Sequence, residues 1–138
     1  MNTTKITVAA IVSADIKKVW DYYTNPKHIT KWNFASDDWQ CPSAANDMWV
    51  GGKYTARMEA KDGSSGFDFE AVYDEIIKGE KFAYTMPDGR HVNVTFKKLG
   101  NKTEVIIVFD AETENPLEMQ RNGWQAILDN FRKYTENN

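Results

Sequence analysis

Four short turn signals between Lys53 and Asp110 constrain this chain more than anything else in it. They are Asp62-Gly63-Ser64-Ser65, Lys78-Gly79, Asp88-Gly89-Arg90 and Gly100-Asn101. Each sets glycine beside polar residues between β-prone stretches, as hairpin connections do. Taken one at a time they dictate registers. The first sets Tyr54 opposite Tyr73, Ala56 opposite Ala71 and Met58 opposite Phe69. The second sets Tyr73 against Tyr84 and Glu75 against Phe82. The third sets Met86 against Val92, Tyr84 against Val94 and Phe82 against Phe96. The fourth sets Phe96 against Val105, Val94 against Ile107 and Val92 against Phe109. The registers agree with one another. They assemble one mainly apolar face across five antiparallel strands, whereas a slip of one residue would turn a strand's apolar set over. The other face carries Arg57, Glu59, Asp68, Glu70, Thr85, Asn93, Thr95 and Glu104 and reads as solvated, with Ile106 and Val108 as apolar exceptions.

The flanking segments read as two strands and three helices. Ile6, Val8, Ala10 and Val12 alternate as in a first strand. Lys5, the apolar run and Ser13-Ala14 imitate a signal peptide, but the run is short and Thr7 interrupts it. The expected compartment is therefore the cytoplasm. Ser13 or Asp15 can cap a short helix holding Val19, Trp20 and Tyr23. Asn25-Pro26 ends it, and Pro26 opens a second helix through His28, Ile29 and Trp32. Between Phe34 and Val50 the pattern yields one strand around Trp39 and Cys41, then a loop. The last segment is a long helix with Asn115 at its cap, Pro116 in first position and Glu118 reaching back. Leu117, Trp124, Ile127, Leu128 and Phe131 make its apolar stripe. Its natural seat is the apolar face of the sheet.

Length and composition exclude several classes of function. The 138 residues make one domain, expected over 1–138. Seventeen basic and twenty acidic side chains leave a net charge of −3, against a nucleic-acid footprint. A single cysteine, Cys41, forbids an internal disulfide and an all-cysteine zinc site. Only His28 and His91 could supply imidazole to a metal. No apolar run reaches the roughly 20 residues of a membrane span.

Three blocks of residues carry a resemblance. Val19-Trp20, Thr24-Asn25-Pro26 and Lys31-Trp32 are similar to the opening of the START-like, or SRPBCC, superfamily. Asp47 and Val50-Gly51-Gly52 before a strand, then Gly66 opening the next, resemble its second block. Gly123-Trp124 in the last helix resembles a third. Together they resemble the family of the activator of heat-shock chaperone ATPase, over nearly the whole chain. Where relatives often have arginine two residues after the aspartate, Trp49 stands here. The resemblance implies an α+β helix-grip fold: a curved antiparallel sheet of about six or seven strands wrapped around the long C-terminal helix, with two short helices after the first strand. It implies a hydrophobic cavity between helix and sheet. It also spreads the function over ligand carriage, chaperone contact in the stress response, and cyclase or dehydratase chemistry, because fold alone does not choose among them.

The residues favour binding over turnover. Cys41 has no nucleophile motif around it. The registers set His91 opposite Asp110, but outward, as a solvated pair rather than a base with its orienting group. Gly51-Gly52-Lys53 lacks the spacing of a phosphate loop and reads as a turn. No catalytic, metal or cofactor site is expected. The leading expectation is non-enzymatic binding of a small apolar or amphipathic ligand by Tyr54, Tyr73, Tyr84, Glu75, Phe82, Phe96, Met86 and Trp124. The three tyrosines form a cross-strand row whose hydroxyls are the polar handles, and Glu75 points inward at a strand end beside the mouth. Gly123 leaves two explanations open: close approach of helix to sheet, or room for a ligand beside Trp124. Ile106 and Val108, with Ala9 and Ile11 on the first strand, form an outward apolar strip suited to a homodimer.

Overall fold

The first strand alternates buried and exposed residues as its sequence dictates, with Ile6, Val8 and Val12 inside. The computed structural model describes residues 4–138. In chain order they form β1 (Lys5–Val12), α1 (Ile16–Thr24), α2 (Pro26–Trp32), β2 (Trp39–Asn46), β3 (Lys53–Ala60), β4 (Gly66–Ile77), β5 (Lys81–Thr85), β6 (His91–Leu99), β7 (Lys102–Asp110) and α3 (Leu117–Asn137). The seven strands make one antiparallel sheet in the order β1-β7-β6-β5-β4-β3-β2. It curls around α3, and this is the helix-grip fold. No helix among the described residues is long and apolar enough to cross a membrane.

The hairpin registers are right about faces everywhere but one; one of the four is right about every partner, and a second about Tyr73 with Tyr84 but not about Glu75 with Phe82. β6 and β7 pair as expected, Val94 with Ile107 and Phe96 with Val105. Tyr73 faces Tyr84 as expected. The other two hairpins close one residue earlier than expected. Ala60 bonds Ser65 around a connection of residues 61–64, and Met86 bonds Arg90 around Pro87-Asp88-Gly89. In both, glycine takes the third loop position with positive φ, +78° at Gly63 and +92° at Gly89. Such loops carry their left-handed residue late, after a turn made by the residues before it. Closing one residue earlier moves each partner by two and leaves the faces intact. Tyr54 therefore pairs with Ala71, Met58 with Phe67 and Phe82 with Val94.

The exception is a bulge. The β4–β5 register shifts between Tyr73 and Glu75. An inserted residue turns the strand's following side chains over. Ile76 consequently faces Phe82, while Glu75 is exposed and pairs with Lys81 at 3.2 Å. Glu75 does not point inward, and it lies outside any cavity wall.

The helices follow their caps, with one substitution. Asp15 accepts from the Lys18 amide at 3.0 Å, and Asn25 does the same for Lys27 ahead of Pro26. At α3 the expected box built on Asn115 and Glu118 is absent. Pro116 occupies the cap without a side-chain bond. Gln120 ties the preceding loop instead: its Oε1 accepts from the Glu112 amide at 2.9 Å, and its Nε2 donates to the Glu112 and Asn115 carbonyls at 3.1 and 2.8 Å. Buried Gln120 thus replaces Leu117, which is exposed, at the start of the inward stripe.

The core lies between α1, α2, α3 and the β1-β7-β6 part of the sheet. Val19, Ile29, Phe109, Leu128 and Phe131 are sealed there. Trp20 meets Phe96 and Phe82 edge-on at 5.1 and 5.9 Å, a favourable aromatic geometry. On the outer face Ile106 and Val108 are half-buried and Ile11 is exposed.

Candidate functional site

The core does not fill the whole inner face. Toward β3, β4 and β5 a cavity of about 320 Å³ opens between α3 and the sheet. Of the residues expected there, Tyr54, Tyr73, Tyr84, Phe82, Met86 and Trp124 line it. Phe96 stands behind, within the core against Trp20 and Tyr23. Trp124 is half-buried rather than sealed: one face stacks on Phe109, with ring centres 4.1 Å apart, and its position borders the cavity.

The tyrosines do not form a straight row. Because Tyr54 pairs with Ala71, it approaches Tyr84 diagonally, with ring centres 5.9 Å apart, and Tyr84 lies 6.0 Å from Tyr73. A fourth tyrosine joins them. Tyr23 of α1 lines the same cavity, from the face that also buries Val19 and Trp20. Two amides complete the polar set. Asn33 follows α2 as its C-cap, and Asn46 ends β2. Their positions fall where the apolar pattern breaks down between Phe34 and Val50 or just before it. No periodicity marks them, although an asparagine just after a helix is a usual stop signal.

The hydrogen bonds assign direction. Asn46 Nδ2 donates to the Thr24 carbonyl at 2.7 Å, which turns its Oδ1 toward Tyr73. Tyr73 therefore spends its proton on Asn46, at 2.6 Å. Asn33 Nδ2 donates to the Tyr54 hydroxyl at 3.4 Å and to Met58 Sδ at 3.5 Å. Tyr54 accepts, and its own proton is uncommitted. Tyr23 and Tyr84 hydroxyls have no partner among the described residues. Among the described residues the one fully enclosed side-chain polar atom without a partner is Thr135 Oγ1, so these two hydroxyls, which line the cavity, meet its space.

Burial governs the protonation of all four phenols. It pushes Tyr54 and Tyr84 well above the phenol range, with their neighbours' hydroxyls adding to the effect. Tyr23 is raised by burial and then by Tyr73. Tyr73 is raised by burial and held back in part by its bond to Asn46. Tyr23 and Tyr54 are half-buried, and both line the cavity. Desolvation disfavours the phenolate. The site is a set of neutral hydroxyls at physiological pH. Among the described residues two charged groups line the cavity: Arg90, which pairs with Asp88 at 2.7 Å, and Glu112 in the Gln120 loop.

The other chemistry considered stays inert. Cys41 is buried, and burial pushes its thiol up, away from the reactive thiolate. Asp110 accepts from the His91 backbone amide at 2.9 Å and pairs with Lys5 at 2.6 Å, while the His91 ring contacts Thr85. The carboxylate does not orient the imidazole. His28 stacks on Tyr22 and bonds Tyr134 at 2.8 Å, away from the cavity.

The sequence profile of Activator of Hsp90 ATPase homolog 1-like protein matches residues 13–136. The chain belongs to this family. An AHSA1-like protein from Aeromonas hydrophila is 40% identical, with a TM-score of 0.91 over 97% of this chain and 93% of that one. A solution structure from Cytophaga hutchinsonii is 49% identical, with a TM-score of 0.84 over 96% and 92%. A crystal structure from Nitrosomonas europaea, at 15% identity and TM-score 0.84 over 96% and 94%, shares the fold alone. No curated protein matches the sequence. Membership of the AHSA1-like family agrees with the START-like resemblance and with the helix-grip architecture, and leaves the cavity's use to be argued from its walls.

Proposed function

We propose that this protein binds a small apolar or amphipathic molecule, without turnover, in the cavity between α3 and the sheet. One observation carries the reading: a volume of about 320 Å³ is walled by aromatic rings yet carries hydroxyls with no partner among the described residues. These hydroxyls are not enclosed, so whatever occupies the cavity, water or ligand, can pair them; sealed in a dry core each would cost roughly 1–3 kcal/mol. Phenylalanine at the same positions would fill a dry wall without that cost. Concave, mostly apolar space with a few polar groups is the usual form of a small-molecule site. Native mass spectrometry of the freshly purified protein tests this. A co-purified small molecule, released on denaturation, is the expected result. Ligand-free protein whose melting temperature responds to no apolar probe would overturn it.

The second reading is contact with a heat-shock chaperone. It is supported by the family's description, and by Trp49 and Val50, which are 62% and 64% exposed on the loop between β2 and β3. Recovery of the chaperone from lysate by the wild type, lost in Trp49→Ser, would favour it over ligand binding.

A further inference from the structure

The hydroxyls at the cavity wall are not equivalent, and their inequality points to a ligand class. Tyr73 has given its proton to Asn46, whose orientation is locked by the Thr24 carbonyl. Tyr54 receives a proton from Asn33 and keeps its own. The Tyr84 and Tyr23 hydroxyls, on the same wall, make no hydrogen bond among the described residues. The wall therefore turns three uncommitted O–H donors toward the same space, together with the lone pairs of the same hydroxyl oxygens. Arg90 also lines the cavity, and its Nε is paired with Asp88.

Resting on the ligand-binding reading above, we propose that the inner end of the cavity selects a neutral hydrogen-bond acceptor, such as the carbonyl of a ketone, ester or amide, carried on an aromatic or alicyclic body. Three reasons converge. Each hydroxyl oxygen can also accept, but an unspent O–H is worse to leave unpaired than an unused lone pair, so a ligand bringing only donors leaves the wall's three protons unpaired. The one cation lining the cavity among the described residues, Arg90, is already paired with Asp88, so an anion would have to compete with that carboxylate while shedding its water, which is costly; the phenols themselves resist ionisation there through burial. The remaining wall, with Phe69, Phe82 and Trp124, suits a flat apolar body. A carboxylic acid would enter protonated, and its affinity would rise as pH falls toward its own pKa.

Three probes of nearly one outline separate the cases: 2-acetylnaphthalene, 2-ethylnaphthalene and 2-naphthoate, each titrated calorimetrically at pH 7.5. The ketone is expected to bind roughly 2- to 13-fold more tightly than the hydrocarbon, the worth of one net hydrogen bond. The carboxylate is expected to bind weakest. Tyr84→Phe should erase the ketone's advantage while keeping hydrocarbon affinity, which also reports that the variant is folded. Tyr54→Phe serves as the second variant and should reduce the same ratio. Equal binding of ketone and hydrocarbon, tighter binding of the carboxylate, or a ratio unmoved by both variants would overturn the selectivity while leaving ligand binding intact. Failure of all three probes to bind would overturn both.

Discussion

The two ends of the sheet's inner face are built from one pattern and finish differently. At the β6–β7 end, Val92, Val94, Phe96, Val105, Ile107 and Phe109 are sealed, with Phe131 of α3 also fully buried. At the β3–β5 end the same alternation supplies Tyr54, Tyr73 and Tyr84, and α3 answers with half-buried Trp124. Branched and benzyl side chains can close a dry interior, because nothing in them needs a partner. Phenols cannot close it so cheaply, because each hydroxyl asks for one. The contrast between a packed end and an open end is thus written in a few oxygen atoms.

The largest expected effect comes from the packed end. Phe131→Ala should cost about 3–5 kcal/mol, as large aromatic truncations in cores do. Trp124→Ala, at the open end, should cost clearly less, because the ring is only half-buried and stacks on one side. Chemical denaturation of both variants checks the order. Equal losses would erase the distinction between the two ends.

Alkaline pH probes the open end next. The folded phenols resist ionisation, whereas in the unfolded chain they ionise near pH 10. Above that pH the unfolded state binds fewer protons, so stability must fall as pH rises. Each phenol still protonated in the fold contributes a slope of about 1.4 kcal/mol per pH unit. Unfolding between about pH 10 and 12 should therefore be steep, with a step in phenolate absorbance at the same midpoint. Gradual ionisation of all tyrosines before unfolding would contradict their burial.

Most of the packed end, and half of the open end, were legible in the sequence. Alternation reports the face a strand residue takes, and it placed the β6–β7 pairs and the inward tyrosines. Turn residues report partners less well: moving Gly63 and Gly89 to third loop position leaves every face unchanged, so nothing in the alternation resists it. Glu75 was misplaced because a bulge has no periodic signature. Asn33, Asn46 and Tyr23 were missed for a related reason. They sit at element ends or on a short helix, and reach the site only through tertiary folding.

Two smaller substitutions sharpen the comparison. Tyr73→Phe leaves Asn46 Oδ1 without its donor and should cost roughly 1–3 kcal/mol, whereas Tyr84→Phe breaks no internal bond and should be nearly neutral. Thermal denaturation that ranks them the other way would reverse the hydrogen-bond assignment. Gly123 has nothing within 4 Å of where a Cβ would stand, so close helix–sheet approach does not explain it. Gly123→Ala should raise stability by about 1 kcal/mol, the ordinary helix gain. A melting temperature that falls instead would mean that the helix needs glycine there for another reason.

The central claim is that the open end is usable space. Titration with the neutral fluorophore N-phenyl-1-naphthylamine tests it most directly, with Ile127→Trp to fill the cavity and Ile106→Trp on the outer face as the comparison. The account predicts saturable uptake of one probe per chain by the wild type and by Ile106→Trp, and strong loss in Ile127→Trp. Absence of uptake by the wild type, or uptake that Ile127→Trp leaves unchanged, would contradict it.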